Sequence, residues 1–149
     1  MSAADNAAAI RSINDAYNAR DFDAAARLSA PDAEWINVPT GQTLRGQDGA
    51  RQFMQAWATA FPDSRVETVT VIASDDGAAM EFIGRGTHSG PLASPAGTIP
   101  PTGKHVEVPF AQIILTHDGK ITRARLYFDL AGLLQQLGLA PAAAPANAD

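Results

Sequence analysis

The spacing of apolar residues changes partway along the chain, and this change limits the folds open to it. In the first 61 residues, apolar side chains recur at helical spacing, as Phe53, Trp57 and Phe61 do. From about residue 66, β-branched residues dominate and short turn sequences follow at close intervals. Helices followed by strands joined through hairpins predict an α+β fold, with helices packed on one face of an antiparallel sheet.

Hydrophobic periodicity and turn signals place the individual elements. Helices are predicted at about 4–19, 22–28, 48–60 and 130–139, and strands at about 34–38, 66–73, 78–86, 106–116 and 121–129. The segment 87–104 is dense in Gly and Pro, which predicts a long loop of the kind that often serves as a lid. A sheet of four to six strands that curls around the helices leaves room for a pocket.

The chain of 149 residues predicts one domain, at 1–139. Residues 140–149 consist mostly of Ala and Pro, which predicts a disordered tail.

Charge and composition exclude several classes of function. The net charge is −5 and no Lys/Arg cluster occurs, so neither a nucleic acid nor an anionic membrane is an expected partner. No apolar run approaches the ~20 residues that span a bilayer, and the first residues lack the pattern of a secretory signal. A cytoplasmic location is therefore expected. The chain has no cysteine, and its three histidines do not form an HxH or HExxH pattern, so no metal site is predicted.

Seven short runs, spread over nearly the whole chain, carry a resemblance to a known family. They are Ala30-Pro-Asp32, Ala60-Phe-Pro-Asp63, Gly86-Thr-His88 with Gly90, Pro101-Thr-Gly103, Asp118-Gly-Lys-Ile121, Tyr127-Phe-Asp129 and Gln136-Leu-Gly138. In this order they resemble the SnoaL-like polyketide cyclases, also called ester cyclases, of the NTF2-like superfamily. Each run alone is weak, whereas the ordered set is specific for the family but not for one activity.

The resemblance implies a cone-shaped α+β barrel, in which a curved antiparallel sheet wraps the N-terminal helices around an apolar pocket. It implies an enzyme that closes a ring of a small hydrophobic carbonyl compound by intramolecular aldol condensation, without cofactor or metal. The family's acid/base carboxylate lies in the run matched by Tyr127-Phe-Asp129, so the resemblance carries the catalytic role to Asp129.

The residues themselves leave two roles open for Asp129. Flanked by Phe128 and Leu130, its carboxyl is expected to be partly desolvated, which raises a pKa toward the range useful for a general acid/base. An Asp immediately before an apolar helix is also a good N-cap. The two roles compete for the same oxygens without excluding each other.

Further candidates follow from the need to stabilise an enolate oxygen with hydrogen-bond donors. His88, at a strand end facing the long loop, can donate to a substrate carbonyl or instead hold the loop. Gln112 shares one face of its strand with Phe110, which favours a pocket wall. Asn37 and Tyr127 are further candidate donors.

Large apolar side chains are the remaining candidates for substrate contacts. Trp35, Phe82 and Phe110 are predicted to line the pocket, with Trp35 at its mouth beside Asn37.

Three functions remain open from the sequence. A polyketide cyclase-like enzyme is the first, and ketosteroid isomerase-like isomerase or dehydratase chemistry is its near alternative. The third is a non-catalytic domain that binds a small apolar ligand. A homodimer is also expected, since the outer face of an open antiparallel sheet is best buried against a second copy.

Overall fold

The structure is a computed structural model that describes residues 2–139, so the predicted tail at 140–149 lies outside the described residues. Its elements, in chain order, are α1 (Ala3–Ala19), α2 (Asp23–Leu28), β1 (Ser29–Asn37), β2 (Gln42–Arg45), α3 (Gly46–Ala60), β3 (Arg65–Ser74), β4 (Gly77–Thr87), β5 (Leu92–Ser94), β6 (Gly97–Ile99), β7 (His105–His117), β8 (Lys120–Phe128) and α4 (Leu130–Gln136). The α+β fold and the order of its main elements are as predicted.

Six strands form one curved sheet in the order β2-β1-β8-β7-β4-β3. The hairpins β3–β4 and β7–β8 turn where the sequence predicts, and β4 pairs antiparallel with β7. Strand β1, however, pairs parallel with β8, so the sheet is mixed rather than wholly antiparallel, and it does not close into a barrel. No hairpin joins β1 to β8, and turn sequences therefore carry no information on their relative direction.

Helix α1 lies across the inner face of the sheet and is tied to β3 by asparagine side chains. Asn14 donates to Thr68 Oγ1 at 2.9 Å. Asn18 donates to the Val66 carbonyl and accepts from the Val66 N–H, both at 2.9 Å. These bonds satisfy polar groups that the packing of α1 would otherwise leave buried without partners. A capping box between Ser2 and Asp5 begins α1.

Helix α3 packs on β1 through the stripe that contains Phe53 and Trp57. Trp35 on β1 is fully buried, with its ring centroid 5.4 Å from that of Phe53. This packing places α3 beside the sheet and leaves space between the two. Among residues 2–139, no helix has the length and apolar character needed to cross a bilayer.

Three short strands are present where the sequence predicts only loops. Strand β2 pairs with β1, and β5 with β6 forms a separate small hairpin inside the predicted loop 87–104. Strands of three or four residues are too short to display alternation, which explains why the pattern did not reveal them.

Candidate functional site

A small cavity, here called the inner cavity, lies between helices α1 and α3 and the inner face of the sheet. Its volume is about 80 Å³, and its walls include Trp35, Phe82 and Phe110. An apolar cavity of about 150 Å³ holds a single benzene ring. The inner cavity therefore has no room for a ring system unless its walls move.

Gln112 is a buried amide in the wall of the inner cavity. It lies on β7 between Phe110 and Ile114, and alternation turns all three side chains inward. The Gln112 side chain is 3% exposed and lines the inner cavity. An amide in the wall of a cavity can bond a polar group of a ligand or a water molecule.

Tyr17 and Ser64 also border the inner cavity, and their side chains are hydrogen-bonded to each other. The Tyr17 Oη and Ser64 Oγ atoms lie 2.6 Å apart. Burial raises the pKa of Tyr17, which keeps the phenol neutral. The polar contact of Tyr17 depends on Ser64, which lies far away in the chain.

A larger space, here called the outer chamber, adjoins the inner cavity. Its volume is about 540 Å³, within the ~300–1,000 Å³ typical of small-molecule sites. The hairpin formed by β5 and β6 makes one wall, and helices α3 and α4 contribute others. The long loop predicted from Gly and Pro thus borders the space that is large enough for a ligand.

The outer chamber is mainly apolar, with amide side chains from the paired strands β1 and β2. Asn37 Oδ1 accepts from the Thr40 N–H at 3.3 Å, while its Nδ2 has no hydrogen bond to a residue within 2–139. Gln42, directly opposite Asn37 in the register, also lines the chamber. Gln42 was not a candidate from the sequence, because its strand was not predicted.

Aromatic rings stand where the two spaces meet. Trp57 lines both, and its ring makes edge contacts with Phe110 at 5.5 Å and with Phe128 at 5.3 Å between centroids. Phe110 lines the inner cavity and Phe128 the outer chamber. The sequence placed Trp57 on the apolar stripe of a helix, and in the structure its side chain borders both spaces.

Asp129 lies between two residues that line the outer chamber, Phe128 and Leu130. It is the N-cap of α4, and its Oδ1 accepts from the Gly132 N–H at 2.9 Å. The residue is exposed, and its side chain is not part of the lining of either space. The capping role is therefore present in the structure, and the acid/base role stays a prediction.

His88 is completely buried and anchors the loop rather than lining a cavity. Its Nδ1 accepts from the Thr102 N–H at 3.2 Å, and its ring packs 5.4 Å from that of Phe61. Within residues 2–139, Nε2 has no hydrogen-bond partner. Burial lowers the pKa of His88, partly opposed by the Gly90 backbone, so the ring is neutral at physiological pH. The loop-holding alternative describes these contacts, and the substrate-donor role stays a prediction.

The candidates predicted to bind substrate are divided among three locations. Trp35 borders the inner cavity but is fully buried, and its indole N–H donates to Ser29 Oγ at 3.0 Å, so it does not stand at a mouth. Asn37 lies in the outer chamber. Tyr127 is 39% exposed on the opposite face of the sheet, because Leu126 and Phe128 on either side of it point inward.

Metal-binding side chains do not gather at either space. Across the described residues 2–139, no three His, Asp or Glu side chains lie close enough to hold a metal ion.

Gly90 belongs to the same sequence run as His88, and close packing against the end of α3 explains why a glycine stands there. A Cβ at this position would lie 1.9 Å from the Thr59 carbonyl oxygen, at the end of α3. We expect Gly90→Ala to lower the free energy of unfolding by about 1–3 kcal/mol, since backbone must move to relieve the overlap. Urea unfolding followed by circular dichroism measures this. Ser89→Ala, at the exposed neighbouring position, is the control. Equal stability of the two variants would contradict the close packing of loop and helix.

The model of one protein family, the SnoaL-like polyketide cyclases, matches residues 7–137. Among curated proteins, none matches the chain.

Several solved structures are similar in fold. A candidate SnoaL-like polyketide cyclase from Jannaschia sp. CCS1 has a TM-score of 0.80 and 22% identity, covering 93% of this chain and 94% of that one. IdmH from Streptomyces antibioticus, described as a candidate polyketide cyclase, has a TM-score of 0.70 and 26% identity, covering 87% and 96%. An LEH-like epoxide hydrolase from M. tuberculosis has a TM-score of 0.67 and 18% identity, covering 91% and 90%.

Proposed function

Because the chain belongs to the SnoaL-like polyketide cyclase family, we propose that it is a cofactor-independent acid/base enzyme acting on a small hydrophobic carbonyl compound. The preferred reaction is an intramolecular aldol condensation. Asp129 is the proposed base, and the outer chamber is the proposed substrate site.

One observation carries this proposal. An apolar chamber of about 540 Å³, with the amides of Asn37 and Gln42 in its wall, is also lined by the residues on both sides of Asp129. A flat carbonyl compound fits the volume and the apolar walls. The amides are donors of the kind that stabilise an enolate oxygen. Asp129, between two residues that line the chamber, supplies a carboxylate that can accept a proton.

The chemistry requires two proton transfers and one new carbon–carbon bond. The Asp129 carboxylate takes a proton from the carbon next to a substrate carbonyl, and an amide donor stabilises the enolate oxygen. The enolate carbon then attacks a second carbonyl carbon of the same molecule, and the proton held by Asp129 returns to the resulting alkoxide. If the enolate is conjugated with a carbon–carbon double bond and the proton returns instead to the far carbon of that double bond, the product is an isomer. The family favours the aldol route.

A non-catalytic ligand-binding domain is the second candidate. The observation that favours it is the Asp129 carboxylate, which is exposed and already accepts from the Gly132 N–H. A pure binder needs only the shape and the apolar walls of the chamber. The two candidates therefore differ in proton transfer and not in ligand binding.

Binding to the outer chamber is tested with a dihydroxyanthraquinone as a flat carbonyl probe. The chain has two tryptophans, and Trp57 borders the chamber, so we expect the probe to quench protein fluorescence. Trp57→Phe, which leaves Trp35 as the remaining tryptophan, is expected to remove most of this signal.

Two further variants identify the space that binds. Ala56 lines only the outer chamber, and Ala56→Trp narrows it; a steric cost of about 1.4 kcal/mol weakens binding about tenfold. Val108 lines only the inner cavity, and Val108→Ile is expected to leave the Kd unchanged. If Val108→Ile weakens binding and Ala56→Trp does not, the assignment of the outer chamber as the substrate site is wrong.

A further inference from the structure

His88 stands at the base of the segment that walls the outer chamber. Residues 89–101, here called the wall loop, contain the β5–β6 hairpin, and every residue from 92 to 100 lines the chamber. The wall loop begins after His88 and ends before Thr102, and these two residues are in contact. A change in that contact therefore acts on the shape of the chamber.

Three groups of His88 bond the returning chain. Its N–H donates to the Lys104 carbonyl and its carbonyl accepts from the Gly103 N–H, both at 2.8 Å. The side chain adds a third bond, in which Nδ1 accepts from the Thr102 N–H at 3.2 Å. The two backbone bonds do not titrate, whereas the third requires a lone pair on Nδ1. The neutral ring therefore carries its proton on Nε2.

A protonated ring does not fit this position. The new Nδ1–H would face the Thr102 N–H, so two donors would oppose each other. The Thr102 hydroxyl, whose Oγ1 lies 3.0 Å from Nδ1, can turn to accept a proton, but the backbone N–H cannot. The ring is also completely buried, with its centroid 5.4 Å from that of Phe61, and a charge placed there loses its hydration.

The surroundings of the ring do not compensate a positive charge. The titratable groups on the neighbouring segments are Asp63, Lys104 and His105, and all three are exposed to water. Burial lowers the pKa of His88, and the Gly90 backbone opposes this only in part. Because the lowered pKa belongs to the closed loop, the closed form is fully stable above the ordinary histidine pKa of about 6.5 and loses stability as the pH falls below it.

We propose that His88 is a positioning residue: its neutral ring holds the wall loop closed, and protonation of the ring releases the loop and weakens ligand binding in the outer chamber. The inference rests on the proposed function, in which this chamber is the substrate site. His88 then acts on a bound ligand through the wall loop, without touching the ligand.

Hydrogen exchange of the wall loop tests the release without any ligand. If the open loop gives His88 its ordinary pKa of about 6.5, the opening equilibrium should rise about tenfold between about pH 7.5 and about pH 5.5. The measurement is the exchange rate of the loop amides at both pH values, corrected for the intrinsic rates of an unfolded chain.

His88→Asn is the informative variant, because the asparagine oxygen replaces Nδ1 as an acceptor and cannot be protonated. The corrected exchange rates of its wall loop should be the same at both pH values. His117 is an exposed histidine at the end of β7. As a matched control, His117→Asn should keep the tenfold change of the wild type.

Ligand binding tests the consequence for the outer chamber. Fluorenone is a flat carbonyl probe without a titratable group, and quenching of tryptophan fluorescence gives its Kd at both pH values. The wild-type Kd should be about three- to tenfold higher at the lower pH, because only the closed loop completes the chamber. His88→Asn should have the same Kd at both. Ala56→Trp, measured at the higher pH, checks that the probe occupies the outer chamber.

The possible results separate this proposal from the proposed function. Equal pH dependence in the wild type and in His88→Asn would overturn the role of His88. A wall loop that opens with no change in Kd would overturn its role in the chamber. If fluorenone does not bind, or if Ala56→Trp binds it as the wild type does, the proposed substrate site is wrong. Hydrogen exchange then still decides whether protonation of His88 opens the loop.

Circular dichroism must show the wild-type fold in every variant. If His88→Asn does not fold, NMR titration of the wild-type histidine rings takes its place. The pH midpoint of loop opening must then coincide with the midpoint at which the His88 ring titrates. A loop that opens at a different pH overturns the proposal.

Discussion

Replacing Asp129 by asparagine is expected to lower catalysed proton abstraction about 10²–10⁴-fold, the range that one positioned general base supplies. Asparagine keeps a side-chain oxygen that accepts from the Gly132 N–H, and it is as good an N-cap as aspartate. The free energy of unfolding should therefore stay nearly the same. The variant removes the proton acceptor and leaves the helix cap in place.

The measurement does not require the natural substrate. An aryl alkyl ketone is incubated with the protein in deuterated water, and NMR follows the loss of the proton next to its carbonyl. This exchange is the first step of both the aldol and the isomerase reactions. The exchange rate measured with the protein, minus the rate in buffer alone, reports on proton abstraction by the protein's base.

Asp129→Ala is the companion variant for the capping role. It removes both functions, so it should lose the same catalysed exchange and also about 0.5–2 kcal/mol of stability. If Asp129→Asn exchanges as fast as the wild type, Asp129 is not the base. If the wild type binds the ketone without accelerating exchange, the ligand-binding candidate replaces the enzyme.

The largest expected loss of stability comes from truncating Trp35. Its side chain is fully buried against Phe53, and its indole N–H donates to Ser29 Oγ. We expect Trp35→Ala to lower the free energy of unfolding by about 3–5 kcal/mol, since it leaves a cavity and removes that bond. A typical domain has only about 5–15 kcal/mol in total.

Urea unfolding followed by circular dichroism measures this loss. Trp35→Phe is the graded control, because it keeps an aromatic ring beside Phe53 but cannot donate to Ser29. It should lie between the wild type and Trp35→Ala. A loss below about 1 kcal/mol for Trp35→Ala would mean that Trp35 is not a central part of the core.

The main elements of the fold follow from local patterns that tertiary contacts reinforce. The stripe of Phe53 and Trp57 predicts α3, and the run Asp75-Asp-Gly77 predicts the β3–β4 hairpin; both are present. The parallel pairing of β1 with β8 was not predicted, because it joins segments that are distant in sequence. The hairpin of β5 and β6 was missed because its strands are only three residues long.

For the site, the sequence predicted only which side chains of a single strand lie on the same face of the sheet. Alternation places Gln112 beside Phe110 on the inner face, and both border the inner cavity. The same alternation turns Tyr127 outward, because it lies between the inward-facing Leu126 and Phe128. Alternation along a strand thus predicts which residues share a face of the sheet, but not which of the two faces borders the cavity.

The chain's own sequence determined the element order and the hairpins, because these depend on neighbours a few residues apart. It determined the family through seven short runs in a fixed order. Only the tertiary structure decided how the candidate residues meet. It separates Gln112 in the inner cavity from Asn37 in the outer chamber, with Trp57 bordering both. Such contacts join residues far apart in sequence, and their geometry exists only once the sheet has paired and the helices have packed on it.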